Sequence, residues 1–447
     1  MSDAVQELDQ PSRGARRAER LLAFLAALLM VTSAFEVVPR LVGIDYYLYW
    51  VIGAARDKGE IGDVYSPAEE ERVGRLYLER AQSVARPQPG GMPPRRLQAA
   101  QVRARLDNYS TPFLYTVYGS AVSGRYDRDF DRVQYTSLAL YFLGLALLCR
   151  ALGLSAVTTS LAIAFFSVTF SPFIDDLSVG NVNRVQVGAL GTLAWLLSRR
   201  RSAVAEPLAG VLLGLAVAFK PNLAYVGIVL ATLWVVTRQW RKLARFGVGA
   251  AVAGAAALAS SALYFGSLAP WSSWWRKLPS LMPTWATDVG NQSLARALLD
   301  RFGVSVPGLL PPLLLALVVL FLLGARSVRA SSRSRELIDL DTLAVALGAA
   351  ASVLAVKLAW QHYYLLVVPL AVCLLRPRAS TSTQIVAAVA AAILSVDIPR
   401  KLLPASVFDP VLCVVLAALA LFALGLVDVS RTARAAADSS GAEHASG

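Results

Sequence analysis

The chain has 447 residues, of which 56% are hydrophobic and only 16% charged, and its mean hydropathy is +0.53. Water does not keep a surface of that character in solution, so a cytosolic enzyme is a poor competitor and a chain that crosses the bilayer many times is expected. The formal charge of +13 needs no nucleic acid to account for it, because the arginines fall in short loops, where they orient membrane spans.

Apolar stretches near 21–39, 134–149, 154–171, 184–198, 204–219, 222–237, 246–265, 306–325, 341–357, 363–375, 385–396 and 406–427 predict an all-α polytopic membrane protein. A span needs about 20 apolar residues to cross about 30 Å of hydrocarbon. Several stretches are shorter, so the reading is about twelve spans, with eleven to thirteen open. The first carries no small-x-small cleavage site before Pro39 and Arg40 and reads as a retained anchor.

Arg13, Arg16, Arg17 and Arg20 precede the first span, and Arg150, Arg199 to Arg201, Arg238 to Arg245, Arg326 to Arg335, and Arg376 with Arg378 follow every second one. They share one face, which makes it cytoplasmic with both termini inside. Residues 1–20 are then a basic cytoplasmic tail, 21–427 the transmembrane domain and 428–447 a disordered cytoplasmic tail. Cys149, Cys373 and Cys413 lie in or beside spans without disulfide or metal spacing, and two histidines in the whole chain argue against zinc or haem, so no metal or cofactor is expected.

The opposite face gathers the acids and amides. Its first loop, about 40–133, opens with GIDYYLYW and places Asp45 just beyond the first span. Asp45 reads as a general base, as a partner for a cation, or as a solvated loop carboxylate. Tyr46, Tyr47, Tyr49 and Trp50 suit the membrane–water boundary. Asp63 and Tyr65 mark a structural turn, and residues 68–107 a solvated helical excursion broken by the proline-rich stretch at 87–94. The apolar run after Tyr109 is only about a dozen residues long and reads as interfacial or re-entrant.

The next outer loop holds Asp175 and Asp176, then Asn181, Asn183, Arg184 and Gln186, which either bond between helices or contact a hydroxylated ligand. Lys220, before Pro221, either snorkels or holds a phosphate. Trp271, Trp274, Trp275 and Trp285 either ride the interface or stack on a sugar, with Asn291, Gln292 and Ser293 beside them as donors and acceptors. His362 is either structural or a donor to phosphate or a sugar hydroxyl.

No phosphate-binding glycine loop, dinucleotide motif or nucleotide-sugar signature is present. The energy for a reaction must therefore arrive with a substrate, and a lipid-phosphate-linked sugar is the natural donor at an outer membrane mouth. A redox or metal enzyme fits nothing comparable.

The ordered set Asp45–Tyr46–Tyr47, Gly59–Asp63–Val64–Tyr65, Tyr109–Thr111–Pro112–Phe113, Gly180–Asn181–Asn183, GLAVAFKP at 214–221, GNQSL at 290–294 and Trp360–His362 resembles glycosyltransferase family 87. Its members are polyprenyl-phosphate-sugar-dependent membrane enzymes of the C superfamily, mannosyl- and arabinofuranosyltransferases among them. The likeness covers about 20–425. It implies a C-superfamily bundle of about twelve helices with a long first extracytoplasmic loop, in a bacterial cytoplasmic membrane. It also implies inverting transfer from a polyprenyl-phosphate-linked sugar to a glycolipid or glycan, with Asp45 catalytic. Lys220, His362, Asn183, Asn181, Asn291, Gln292, Tyr46, Tyr47 and Tyr109 would bind donor phosphate or sugar. Two departures stand out: Asn181 replaces the Gln of the usual Gly-Gln-x-Asn element, and Thr111–Pro112 replaces Pro–Pro. A flippase of lipid-linked sugars is the alternative, and an assembly protein a third class.

Overall fold

Lipid offers backbone N–H and C=O groups no partner, so the apolar runs close their own hydrogen bonds as helices. The computed structural model describes residues 13–84, 93–199, 204–280, 286–288, 290–306, 308–323, 335–402, 404 and 409–445. Trp285, the proline-rich stretch up to residue 92, Arg200, Arg201 and the arginines from Arg326 to Arg333 lie outside the described residues.

In chain order the helices are α1 (Arg13–Val37), α2 (Ile44–Asp57), α3 (Pro67–Val84), α4 (Arg95–Val102), α5 (Pro112–Gly119), α6 (Tyr126–Leu152), α7 (Ala156–Phe165), α8 (Ser171–Val179), α9 (Asn183–Ser198) and α10 (Ala205–Phe219). They continue as α11 (Ala224–Val236), α12 (Trp240–Phe265), α13 (Ala269–Lys277), α14 (Leu294–Phe302), α15 (Leu310–Leu323), α16 (Arg335–Leu354), α17 (Val368–Leu374), α18 (Thr381–Leu394), α19 (Asp397–Leu402) and α20 (Pro410–Ala445). No strand occurs among the described residues. Among the described residues, four segments are long and apolar enough to cross a bilayer alone, Arg16–Arg40, Tyr126–Leu152, Trp240–Phe265 and Pro410–Arg434, and six further apolar helices are shorter. The stretch expected to span at 154–171 is instead α7 followed by a turn into α8.

α16 runs through the middle of the bundle. Leu343 to Leu347 and Ala349 to Ala351 are at most 1% exposed, and a Cβ on Gly348 would stand 2.5 Å from Val226 Cα, so α11 approaches where only glycine fits. Leucines of α1 such as Leu21, Leu22 and Leu29 are exposed, which in a bilayer is the lipid-facing side.

The first outer loop builds a second apolar cluster of its own. Tyr46, Tyr47, Tyr49 and Trp50 are no interfacial girdle: they are 1, 0, 6 and 2% exposed, because α2 is enclosed on all sides from Tyr46 to Ala55. Trp50 Nε1 donates to Asp129 Oδ2 at 3.1 Å. α3 and α4 each bury one face, Val73, Tyr77 and Ala81 on α3 and Ala99 and Ala100 on α4; Glu71, Arg72, Arg75 and Glu79 turn outward as the Glu and Arg spacing implies, whereas Glu70 is buried.

The opposite end of the bundle holds buried ion pairs. Lys242 pairs with Asp341, which also accepts from Trp234 Nε1 at 2.8 Å. Arg376, 2% exposed, pairs with Asp428 and donates to Thr432 Oγ1 at 2.8 Å. This corrects the expected start of a disordered tail at 428. α20 continues to Ala445, and Asp428, Val429, Thr432 and Ala433 are all buried. In sequence Asp428 ends the apolar run, but in space it meets Arg376.

Truncation after Val427 strips Arg376 of two partners, and leaving a buried charge incompletely paired costs on the order of 3 kcal/mol. Thermal unfolding in detergent should show a clearly lower Tm for that truncation, and a near-native Tm for one made after Arg434.

Candidate active site

Two left-handed glycines bring the polar groups of the outer face together. Gly43 caps the start of α2 at φ +73° and Gly180 ends α8 at φ +71°. Gly43 N donates to Ser178 O at 3.1 Å, and a Cβ on Gly180 would lie 3.3 Å from Gly43 Cα. L-residues disfavour that conformation by roughly 1–2 kcal/mol, and here there is no room for one either. The contact sets Asp45, in the first turn of α2, beside Asn181.

Asp45 Oδ1 accepts from Arg103, at the end of α4, and Oδ2 accepts from Asn181 Nδ2 at 2.7 Å. The other side of the same amide faces a cation, since Lys220 Nζ donates to Asn181 Oδ1 at 3.4 Å and to Asn183 Oδ1 at 2.9 Å. Only one amide orientation serves both neighbours. Lys220 follows α10 in extended backbone, where Pro221 breaks the helix, and its Nζ lies 4.3 Å from the centre of the Tyr363 ring. Amide oxygens and a ring leave the charge of Lys220 available to an anion, whereas Arg103 spends its charge on Asp45 and, at 3.7 Å, Asp107.

His362 joins the group through its backbone, whose carbonyl accepts from Asn183 Nδ2 at 3.2 Å. Its Nδ1 lies 2.9 Å from Asp175 Oδ2, and its Nε2 is buried without a hydrogen-bond partner. Behind them Arg184 Nε meets Asp176 Oδ2 at 2.9 Å, both side chains at most 1% exposed, and Arg184 also donates to Gln134. That pair braces α8 against α6 and α9, which is the interhelical reading of Arg184.

The sequence-derived set therefore divides. Asp45, Asn181, Asn183, Lys220 and His362 converge. Asn291 and Gln292 instead fasten the segment that leads to His362: Asn291 Oδ1 accepts from Ala359 N at 3.0 Å, Asn291 Nδ2 donates to Lys357 O at 2.9 Å, and Gln292 N donates to Ala359 O at 2.7 Å. Tyr46 and Tyr47 lie in the apolar cluster of the first loop. Burial pushes both phenols well above their ordinary range, so they remain neutral. Tyr109 takes part in a clamp, its carbonyl accepting from Trp274 Nε1 at 3.1 Å and its ring under Lys277, which pairs with the buried Glu70.

Arg103, Asp175 and Tyr363 were missed as site residues. Arg103 is one arginine among many in an amphipathic stretch, and nothing in the sequence singles it out. Asp175 and Tyr363 lie next to residues that do stand out, Asp176 and His362.

The sequence model of glycosyltransferase family 87 matches residues 133–356, half of the chain. The protein belongs to glycosyltransferase family 87. No curated protein and no solved structure matches the chain. The matched residues include Asn181, Asn183, Lys220 and Asn291 of this glycosyltransferase. Asp45 and His362 fall outside the match, so their place in the site rests on the contacts above.

Asn181→Ala removes the bridge between carboxylate and cation. Loss of a hydrogen bond to a charged group costs about 1.5–3 kcal/mol, so glycosyl transfer by the purified protein in nanodiscs should fall roughly tenfold to a hundredfold, with Tm lowered by a few degrees and the helical fold retained.

Proposed function

We propose that the protein transfers a glycosyl group, mannose or arabinofuranose, from a polyprenyl-phosphate-linked donor to a hydroxyl of a glycolipid or glycan on the extracytoplasmic face. The observation that carries this reading is that one amide, Asn181, bridges Asp45 to a cation, Lys220, whose charge is met by amides and a ring. A donor phosphate supplies the missing anion.

In the reaction the acceptor oxygen attacks the anomeric carbon from the face opposite the phosphate. The carbon–oxygen bond to phosphate breaks, polyprenyl phosphate leaves with the electron pair, and Asp45 takes the hydroxyl proton. Lys220 stabilises the charge that develops on the leaving phosphate. Attack from the opposite face inverts the anomeric centre. Asn181 fixes the distance between base and cation, and Arg103 holds the Asp45 carboxylate from its other side.

A lipid-linked donor is further supported by an apolar groove of about 470 Å³ between α5, α6, α9 and α10. Phe113, Val117, Leu140, Val185 and Leu212 line it, together with Phe219, the residue before Lys220. An isoprenoid chain in this groove would deliver its phosphate to Lys220.

Asp45→Asn keeps the size of the side chain and removes the proton acceptor, which contributes typically about 10²–10⁴-fold. Transfer in nanodiscs with saturating donor and acceptor should fall by that amount, and mass spectrometry of envelope glycolipids and glycans in a deletion strain should identify the product that only the wild-type gene restores. Donor crossing the membrane unchanged, with no product and no dependence on Asp45, would instead fit a flippase. The sidedness is tested separately: cysteines introduced at Glu71 and Arg241 should label from opposite faces of the membrane, and labelling from one face would overturn the extracytoplasmic assignment.

A further inference from the structure

His362 is held at two points by one oxygen. Its backbone N–H donates to Asp175 Oδ2 at 3.1 Å, and its ring Nδ1 lies 2.9 Å from the same atom. A carboxylate oxygen only accepts, so the hydrogen of that second contact sits on Nδ1. A neutral ring with its proton on Nδ1 carries a lone pair on Nε2. That nitrogen is buried without a hydrogen-bond partner, and the residue is 4% exposed. A buried acceptor left unmade is costly, and it is satisfied by a group that donates.

This chemistry differs from a donor to phosphate, one of the roles open to His362 from sequence. A neutral Nδ1–H ring has no second hydrogen to give, and phosphate oxygens in their ionised form have none either. A sugar hydroxyl does. The neighbours agree with that division. Asn183 donates its Nδ2 hydrogen to the His362 carbonyl while its Oδ1 accepts from Lys220, and Lys220 lies over Tyr363, the next residue in the chain. The cation for phosphate and the acceptor for hydroxyl are thus carried by adjacent residues. Asp176, next to Asp175, is committed to Arg184, which leaves Asp175 as the carboxylate that orients the ring.

We propose that Asp175 is a positioning residue that fixes His362 in the Nδ1–H form, so that Nε2 accepts a hydrogen bond from a hydroxyl of the sugar substrate. The proposal rests on the glycosyltransferase reading for its ligand, and the state of the ring can be read without turnover.

The chain contains two histidines, His362 and His444. Histidine-selective ¹⁵N labelling therefore gives two rings, and H444Q identifies which is which. At about pH 8.5 the wild-type protein in detergent should show His362 protonated at Nδ1 alone. Asp175→Ala removes the acceptor from the ring, and the proton should no longer be held at Nδ1. Transfer should fall roughly tenfold in D175A, the loss expected of one misdirected hydrogen bond, and D175N, whose amide oxygen accepts at the same place, should recover part of it.

A wild-type ring protonated at Nε2, or at both nitrogens at that pH, overturns the proposal. So does D175A with its proton moved off Nδ1 but full transfer, since Asp175 would then only fasten the segment. If the expected ring states are found and no transfer occurs even in the wild type, the glycosyltransferase reading has failed and the hydroxyl-binding role falls with it, while the orientation of His362 by Asp175 stands.

Discussion

The backbone contact between Gly43 and Gly180 is the constraint on which the polar centre depends. Asp45 belongs to the first loop and Asn181 to the junction of α8 and α9, two parts of the chain joined here by one hydrogen bond and by the absence of two side chains. The ring of Phe130 lies against both glycines, so a Cβ on either would have to displace it. From this contact the rest follows in order. Asn181 reaches Asp45, its other end reaches Lys220, Lys220 reaches Asn183, and Asn183 holds the backbone of His362.

The two ends of the bundle treat charge differently. At the end with Lys242 and Arg376, cations are matched to Asp341, Asp339 and Asp428, and the network locks α12, α16 and α20 together. Several arginines and lysines that look purely topogenic in sequence thus also do structural duty. At the other end Asp45 is matched by Arg103, but Lys220 is met by amides and a ring. An enclosed cation with soft partners suits a site that must receive and release an anion, because a permanent carboxylate partner would compete with the ligand.

Much of the helical framework was legible because apolar length is a strong signal: most of the expected stretches lie on helices at nearly the same positions. What failed had local causes. The tail boundary at 428 failed because a buried Asp looks like the end of a span until its Arg is found. The stretch at 154–171 failed because an apolar run does not reveal that its chain turns after Phe165. The tyrosines of the first loop failed because an interfacial ring and a buried ring have the same composition, and only the second cluster of the fold distinguishes them. In the candidate site, residues with unusual neighbours were found, Asp45, Lys220 and His362, whereas Arg103 was hidden among other arginines.

The two positions that the resemblance marks as departures each have a physical role. The Thr111 hydroxyl accepts from Leu114 N at 3.1 Å, capping α5, and donates to Ala218 O at 2.6 Å. A proline there has no such donor, so in this chain the exit of the first loop is tied directly to the end of α10, two residues before Lys220. Asn181 stands where the resemblance implies a glutamine. A glutamine carries one more methylene, and between Asp45 Oδ2 and Lys220 Nζ the shorter amide already spans both contacts at 2.7 and 3.4 Å. The shorter bridge goes with the tighter tie. Thr111 holds the cation's helix to the loop, Asn181 holds the cation to the carboxylate, and together they fix the separation between the group that would take a proton and the group that would receive the phosphate.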